Sequence, residues 1–319
     1  MSFRLPPSPM PRRAFLAASL TALSAPALTS CADLVAPRPD GTIEVLHALA
    51  NRDVKNLEEV QGQGSAATAV AEIRAAQAEA LAAEITRACG TLKDGRAPEK
   101  CGEAVALPAA QPAPDDLVAM IDSSRSSRAI LDSLASRGTL REDYDARLAT
   151  AVDGGLVLAA RLAGAKWEDL VPQPPTGESL LRDAESQLTD ALQAEYALIY
   201  GLGVAAPHVT GDDATAVEAR GVRHRLLRDA AIALFAQEEL QAPSAAAGYS
   251  ATKEAPAPDD APIDYLIALE RHCAQAWEDV VKAAKEAPTR LFALNAAGIS
   301  AAGASSLEGD ATQALPGLK

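Results

Sequence analysis

Amphipathic helices keep ionisable side chains off their apolar faces, so a glutamate or histidine inside an apolar stripe marks a place where chemistry is positioned. The 319-residue chain has three such positions in its C-terminal part. One stripe runs Leu188, Leu192, Glu195, Ile199; a second runs Val217, Gly221, His224, Leu227, Ala231, Leu234; a third runs Leu266, Glu270, Cys273, Trp277. Three helices thus each aim one proton-active or metal-capable group at a shared axis. A buried carboxylate must pair, titrate to neutrality or coordinate something. The first chemistry open to Glu195, His224 and Glu270 is a hydrogen-bonded network that fixes helix register, with His224 protonated between two acids and no cofactor. The alternative is a reduced metal site for iron, manganese or zinc. A dinuclear carboxylate centre needs a glutamate from each of two helices and a Glu-x-x-His pair from each of the other two. That pattern fails here, because Glu218 lies six residues before His224 and the fourth helix offers only Asn295. Arg228, one turn beyond His224, is a candidate charge partner.

Other groups carry less. His47 sits beside the apolar stripe of the first helix and His208 in a Pro-containing loop, where solvated or capping roles are expected. His272, two residues from Glu270, is turned to a different face. Ser123, Ser124, Ser126 and Ser127, with Arg125 and Arg128, read as a helix contact rather than an anion site. Gly201-Leu202-Gly203 lacks both the spacing and the preceding strand of a phosphate loop. No residue is assigned a catalytic role.

Of the four cysteines, Cys31 follows Leu28-Thr29-Ser30, a sequence that resembles a bacterial lipobox and implies lipid on the sulfur. Cys89 and Cys101 flank a polar loop, Gly90 to Lys100, which a disulfide would close with about 3 kcal/mol of nominal stabilisation. Cys273 then remains as a buried, inert thiol, although other pairings among the three stay open.

The elements that must position these groups are all helical. Residues 1–30 read as a signal peptide, with Arg4, Arg12 and Arg13 before an apolar stretch too short to span a bilayer. Its run Pro11-Arg12-Arg13-Ala14-Phe15-Leu16 leaves the secretory and twin-arginine routes both open. Residues 31–41 are a tether. Residues 42–165 hold four amphipathic helices, the first capped by Thr42 and the fourth opened by a Thr139/Glu142 capping box. Residues 166–178, with Pro172, Pro174 and Pro175, read as a linker. Residues 179–306 hold four more helices, expected at about 180–205, 212–240, 260–286 and 288–305, and 307–319 a flexible tail. The fold class is all-α, as tandem antiparallel helical bundles.

Ala194-Glu195-Tyr196-Ala197 through Tyr200-Gly201, His224-Arg225-Leu226-Leu227-Arg228-Asp229-Ala230, and Ala268-Leu269-Glu270 through Ala276-Trp277 together resemble a ferritin-like domain of unknown function, numbered 4439, found in bacterial proteins of which many are exported. The resemblance covers about residues 178–306 and implies a four-helix ferritin-like bundle without an assigned activity. In that family a histidine often follows the first-helix glutamate. Tyr196 stands there instead, which removes one ligand that the resemblance would otherwise supply.

Composition narrows the partners. A formal charge of −14 opposes the counterion release that dominates nucleic-acid affinity, so nucleic acid is excluded as a partner. Only 3% of residues are aromatic, and the 48% hydrophobic fraction is mostly alanine and leucine, which suits close helix packing. An acidic body is repelled by anionic lipid, so membrane attachment falls to the acyl chains of Cys31. The expected protein is an extracytoplasmic lipoprotein on the outer face of the cytoplasmic membrane, acting as a non-enzymatic binding or scaffolding module, with an envelope protein as partner. A metal-binding or oxidoreductase protein is the alternative, and a small-molecule carrier the third reading.

Overall fold

The computed structural model describes residues 40–59, 64–96, 98–102, 117–118, 121, 131–132, 135, 142–178, 180–181, 183–249, 257–310 and 312–318. The segment read as a signal peptide, Cys31, Thr139 and the serine cluster lie outside the described residues. Among the described residues all regular structure is helical. The helices are α1 Gly41–Glu59, α2 Gly64–Cys89, α3 Glu142–Leu162, the short α4 Trp167–Leu170, α5 Glu185–Ala205, α6 Gly211–Gln237, α7 Pro262–Ala283 and α8 Ala287–Leu307. None is long and apolar enough to cross a membrane.

Local chemistry sets the ends. Asp40, not Thr42, caps α1: its Oδ1 accepts from the amides of Thr42 at 2.9 Å and Ile43 at 3.3 Å. A carboxylate there also favours the positive end of the helix dipole. Gly90 follows α2 with φ +68°, the left-handed conformation that glycine adopts without steric cost, and its amide returns to Thr86 O at 3.0 Å. Pro288 starts α8 in its first turn, where its missing amide hydrogen costs nothing. Gly201 and Gly203 lie inside α5. A Cβ on Gly201 would stand 2.3 Å from Leu269 Cδ1, so this glycine lets α7 approach closely.

α8 is the central element. It packs against α7 on one side and α3 on the other, and every residue from Phe292 to Ser305 is buried. Its run of Ala, Gly and Ser gives two neighbouring helices room to close in. A Cβ on Gly154 of α3 would meet Gly298 O of α8 at 3.2 Å, so these two backbones nearly touch. The hydrophobic core consequently continues from Ile43 through Leu158 to Ile299, and residues 37–319 form one compact unit. The Pro-rich segment expected as a linker takes part in that core, since Leu170 and Val171 are buried within it.

The segment expected as a flexible tail also packs. Gln77 Nε2 donates to Val152 O at 3.0 Å and to Ala314 O at 2.8 Å, tying α2, α3 and the C-terminal segment together. Gly155 makes this approach sterically accessible, because a Cβ there would lie 2.1 Å from Ala314 O. Backbone polar groups brought into a core need partners, and Gln77, which interrupts the apolar stripe of α2, is the partner here.

Candidate functional site

Glu195 on α5, His224 on α6 and Glu270 on α7 meet in the C-terminal part of the core, at 0%, 0% and 1% exposure. His224 bridges the two acids. Its Nδ1 lies 2.7 Å from Glu195 Oε2 and its Nε2 3.1 Å from Glu270 Oε2. Arg223 Nε is 3.3 Å from the same Nε2, slightly farther than the carboxylate that a protonated ring would donate to. The indole of Trp277 donates from Nε1 to Glu195 Oε1 at 2.8 Å, and its ring meets Phe292 edge to face at 5.4 Å. Both oxygens of each acid are therefore engaged by protein donors.

Two arginines complete the cluster. Arg223, at 0% exposure, donates to Glu270 Oε1, and Arg220 Nε lies 3.5 Å from that oxygen. Arg220 also donates to Ala216 O at 3.1 Å and Gly303 O at 3.4 Å. The second face of Arg223 is covered by an aromatic ring: its Cζ stands 4.3 Å from the centre of Trp167 on α4, and Arg161 Cζ is 5.2 Å from that same ring. Arg223 Nη1 has no hydrogen-bond partner among the described residues, so cation–π contact substitutes for one. Gly303 of α8 makes the space. A Cβ there would lie 2.1 Å from an Arg223 nitrogen and 2.7 Å from Glu270 Oε1.

The electrostatics follow from this packing. Burial opposes the charged form of His224, but the carboxylates of Glu195 and then Glu270 outweigh it and raise the imidazole pKa. Burial likewise works against ionised Glu270, and Arg223 followed by His224 overcomes it, holding the carboxyl below its usual range. Burial and the neighbouring Arg223 push Arg220 down to about 10, which leaves it charged at neutral pH. Cys273 lies on α7, one turn beyond Glu270, fully buried. Burial, with Glu195 and Glu270, raises its thiol pKa and holds the proton on sulfur.

Arg228 is not the charge partner. It pairs with its neighbour Asp229 at 2.7 Å on the surface, because four residues of helix carry it about 6 Å beyond the acids. Arg223 and Arg220 take that role. A signal for both existed: Arg220 lies three residues after Val217 and four before His224, and Arg223 four before Leu227, so both fall within the buried face. Cys89 and Cys101 are bonded in the structure, Cα–Cα 6.3 Å, joining the end of α2 to a 3-10 turn at Glu99–Gly102. His208 and His272 are exposed, and His47 Nε2 lies 2.9 Å from Asn51 on the surface of α1.

These motif residues fall in a stretch, residues 187–319, that matches the family described as Domain of unknown function (DUF4439). Residues 187–319 belong to the DUF4439 family. A solved structure of a conserved hypothetical protein, rv2844, from Mycobacterium tuberculosis is 32% identical, over 39% of this chain and 94% of that one, with a TM-score of 0.37. No curated protein matches the chain. The DUF4439 stretch supplies Glu195, Arg220, Arg223, His224, Glu270, Cys273 and Gly303, whereas Trp167 and Arg161, which cover Arg223, precede it.

Proposed function

We propose that this protein is an extracytoplasmic module, lipid-anchored through Cys31 to the outer face of the cytoplasmic membrane, whose C-terminal helices form a ferritin-like bundle and which binds or scaffolds an envelope protein without turning over a substrate. The observation that carries the reading is the closure of the cluster built from Glu195, Arg223, His224 and Glu270. Glu195, His224 and Arg223 are at 0% exposure and Glu270 at 1%, with Arg223, Arg220, Trp277 and His224 occupying the carboxylate oxygens. A catalytic centre needs an approach for the reacting molecule, and these buried residues offer none. A closed network in which every carboxylate oxygen is engaged instead fixes the register of α5, α6 and α7.

The residues do not fit a two-metal carboxylate centre. Glu270, which would bridge to a second cation, holds two guanidiniums, and those positive charges stand where the second ion would sit. Asn295, the fourth-helix candidate, donates to Leu291 O at 2.8 Å and lines a surface groove beside Pro288 and Pro172.

The test is crosslinking in living cells with the full chain, beside His224→Gln and Cys31→Ala. A folded His224→Gln chain is expected to keep the wild-type crosslinked partners, while Cys31→Ala moves the chain from the membrane to the soluble fraction. Selective loss of partners in folded His224→Gln would contradict the reading by assigning the cluster a direct role in binding.

A further inference from the structure

We propose that Glu195, His224 and Cys273 form a mononuclear site for a thiophilic divalent cation of the zinc type, with Glu270 as the carboxylate that orients the histidine rather than as a ligand. The proposal rests on the reading of a closed cluster without turnover, and it assigns that cluster a ligand.

One donor atom from each of Glu195, His224 and Cys273 lies within 4.8 Å of the others, and all three residues are buried. They come from α5, α6 and α7, so an ion among them would tie three helices together. The donors are one carboxylate oxygen, one imidazole nitrogen and one sulfur, a set that selects zinc or cobalt over magnesium or calcium. Binding during folding releases the imidazole and thiol protons to solvent, and the resulting neutral imidazole, thiolate and carboxylate carry two negative charges that a divalent ion neutralises. Glu270 is matched separately by Arg223 and Arg220.

The surroundings already have the form that holds a ligating histidine. A bound imidazole normally donates its second ring N–H to a carboxylate, which fixes ring and tautomer. Here Nδ1 faces Glu195 at 2.7 Å, and Nε2 faces Glu270 at 3.1 Å. Glu270 is fixed in turn by Arg223, and Gly303 leaves room for that pair. The ligand carboxylate is held in the same way, since Trp277 Nε1 occupies Oε1 of Glu195 at 2.8 Å and leaves Oε2 turned toward the imidazole. Ligand atoms of a tetrahedral zinc site stand about 3.5 Å apart, so Glu195 and His224 would part by about 1 Å and Cys273 would close in. Because the site is sealed, the ion would enter during folding.

Cobalt(II) as probe tests this directly, since a thiolate ligand gives cobalt a near-ultraviolet charge-transfer band that oxygen and nitrogen ligands do not. The full chain carrying Cys31→Ser, with the Cys89–Cys101 disulfide kept oxidised, would be refolded from denaturant with cobalt. Cys273 is then the single free thiol. One equivalent of bound cobalt with the charge-transfer band is expected. The band disappears in Cys273→Ala, and zinc competes it away. Glu195→Gln, which keeps the shape and the Trp277 hydrogen bond, is expected to weaken cobalt binding tenfold or more, so the ligand set stays testable even where Cys273→Ala fails to fold. A refolded chain with native circular dichroism and no thiolate band overturns the proposal, as does a band that survives Cys273→Ala or affinity unchanged by Glu195→Gln. None of those results touches the crosslinking outcome on which the binding-module reading depends.

Discussion

Three charged residue types share one sealed volume around His224, and the cost of removing one member is set by what it leaves behind. In metal-free protein, His224→Leu strands Glu195 Oε2 and Glu270 Oε2 without their partner. Breaking a buried charged pair in this way costs about 3–5 kcal/mol. Urea unfolding of chelator-treated chains should show that loss, whereas a loss under 1 kcal/mol would mean that water reaches the acids. The pH dependence has two limbs of opposite sign. The raised pKa of His224 gives stability that is complete below its ordinary value of 6.5 and lost as pH rises through the folded value. The lowered pKa of Glu270 gives stability that is complete above its ordinary value of 4.5 and lost as pH falls through the folded value. Both contributions are therefore complete between about 4.5 and 6.5, and thermal melts of the metal-free protein across pH should be highest in that window. His224→Gln should flatten the alkaline limb; an unchanged alkaline limb would assign it to other groups. Glu195, His224 and Glu270 were legible in sequence because each interrupts an apolar stripe. The arginines were only half legible: their spacing places them on the buried face of α6, but an arginine there is ordinarily solvated, and their burial depends on Gly303 and Trp167, which lie on other elements.

The short α4 shows what the element scale adds. Its four residues lie in a Pro-rich stretch whose composition reads as a linker, and nothing local to the sequence says that Trp167 covers a guanidinium on α6. Cation–π contact at a desolvated site contributes about 2 kcal/mol, and the indole also shields an Arg223 nitrogen that has no hydrogen-bond partner among the described residues. Trp167→Ala should therefore destabilise the chain by about 2–3 kcal/mol, with hydrogen exchange in α6 accelerated around Arg223. Protection unchanged in α6 would show that α4 is a passive connection. On α8, Gly303→Ala tests the opposite fault, a methyl group where none fits. Its Cβ would fall 2.1 Å from an Arg223 nitrogen that is itself pinned by Glu270. Overpacking of this kind costs about 1–3 kcal/mol, to be measured by denaturant unfolding. Helix existence and approximate extent were readable from apolar period and punctuation, as at Gly90 and Pro288. The closeness of two helices is a property of both, and the small residues of α8 say only that something approaches.

At the scale of the molecule, the family stretch and the folded unit do not coincide. The DUF4439 match begins at residue 187, yet the face of α8 that carries Gly298 is covered by α3 from before that point. The C-terminal segment reaches in the other direction, with Ala314 O held by Gln77 of α2. Apolar surface stabilises only while it is covered, at about 25 cal/mol per Å² removed from water. Residues 187–319 expressed alone would expose the α3-facing side of α8, lose the Trp167 cover over Arg223, and leave the C-terminal segment without Gln77. Such a fragment is expected to keep far-ultraviolet helicity, bind a hydrophobic dye and melt without a cooperative transition, whereas the full chain gives one sharp transition. Differential scanning calorimetry with dye binding on the two samples decides between these behaviours. A fragment that melts cooperatively near the temperature of the full chain would show that the C-terminal helices are self-sufficient and that α3 and α4 are additions to a complete bundle. A loose fragment would mean that the N-terminal helices are part of the core that keeps His224 and its partners dry.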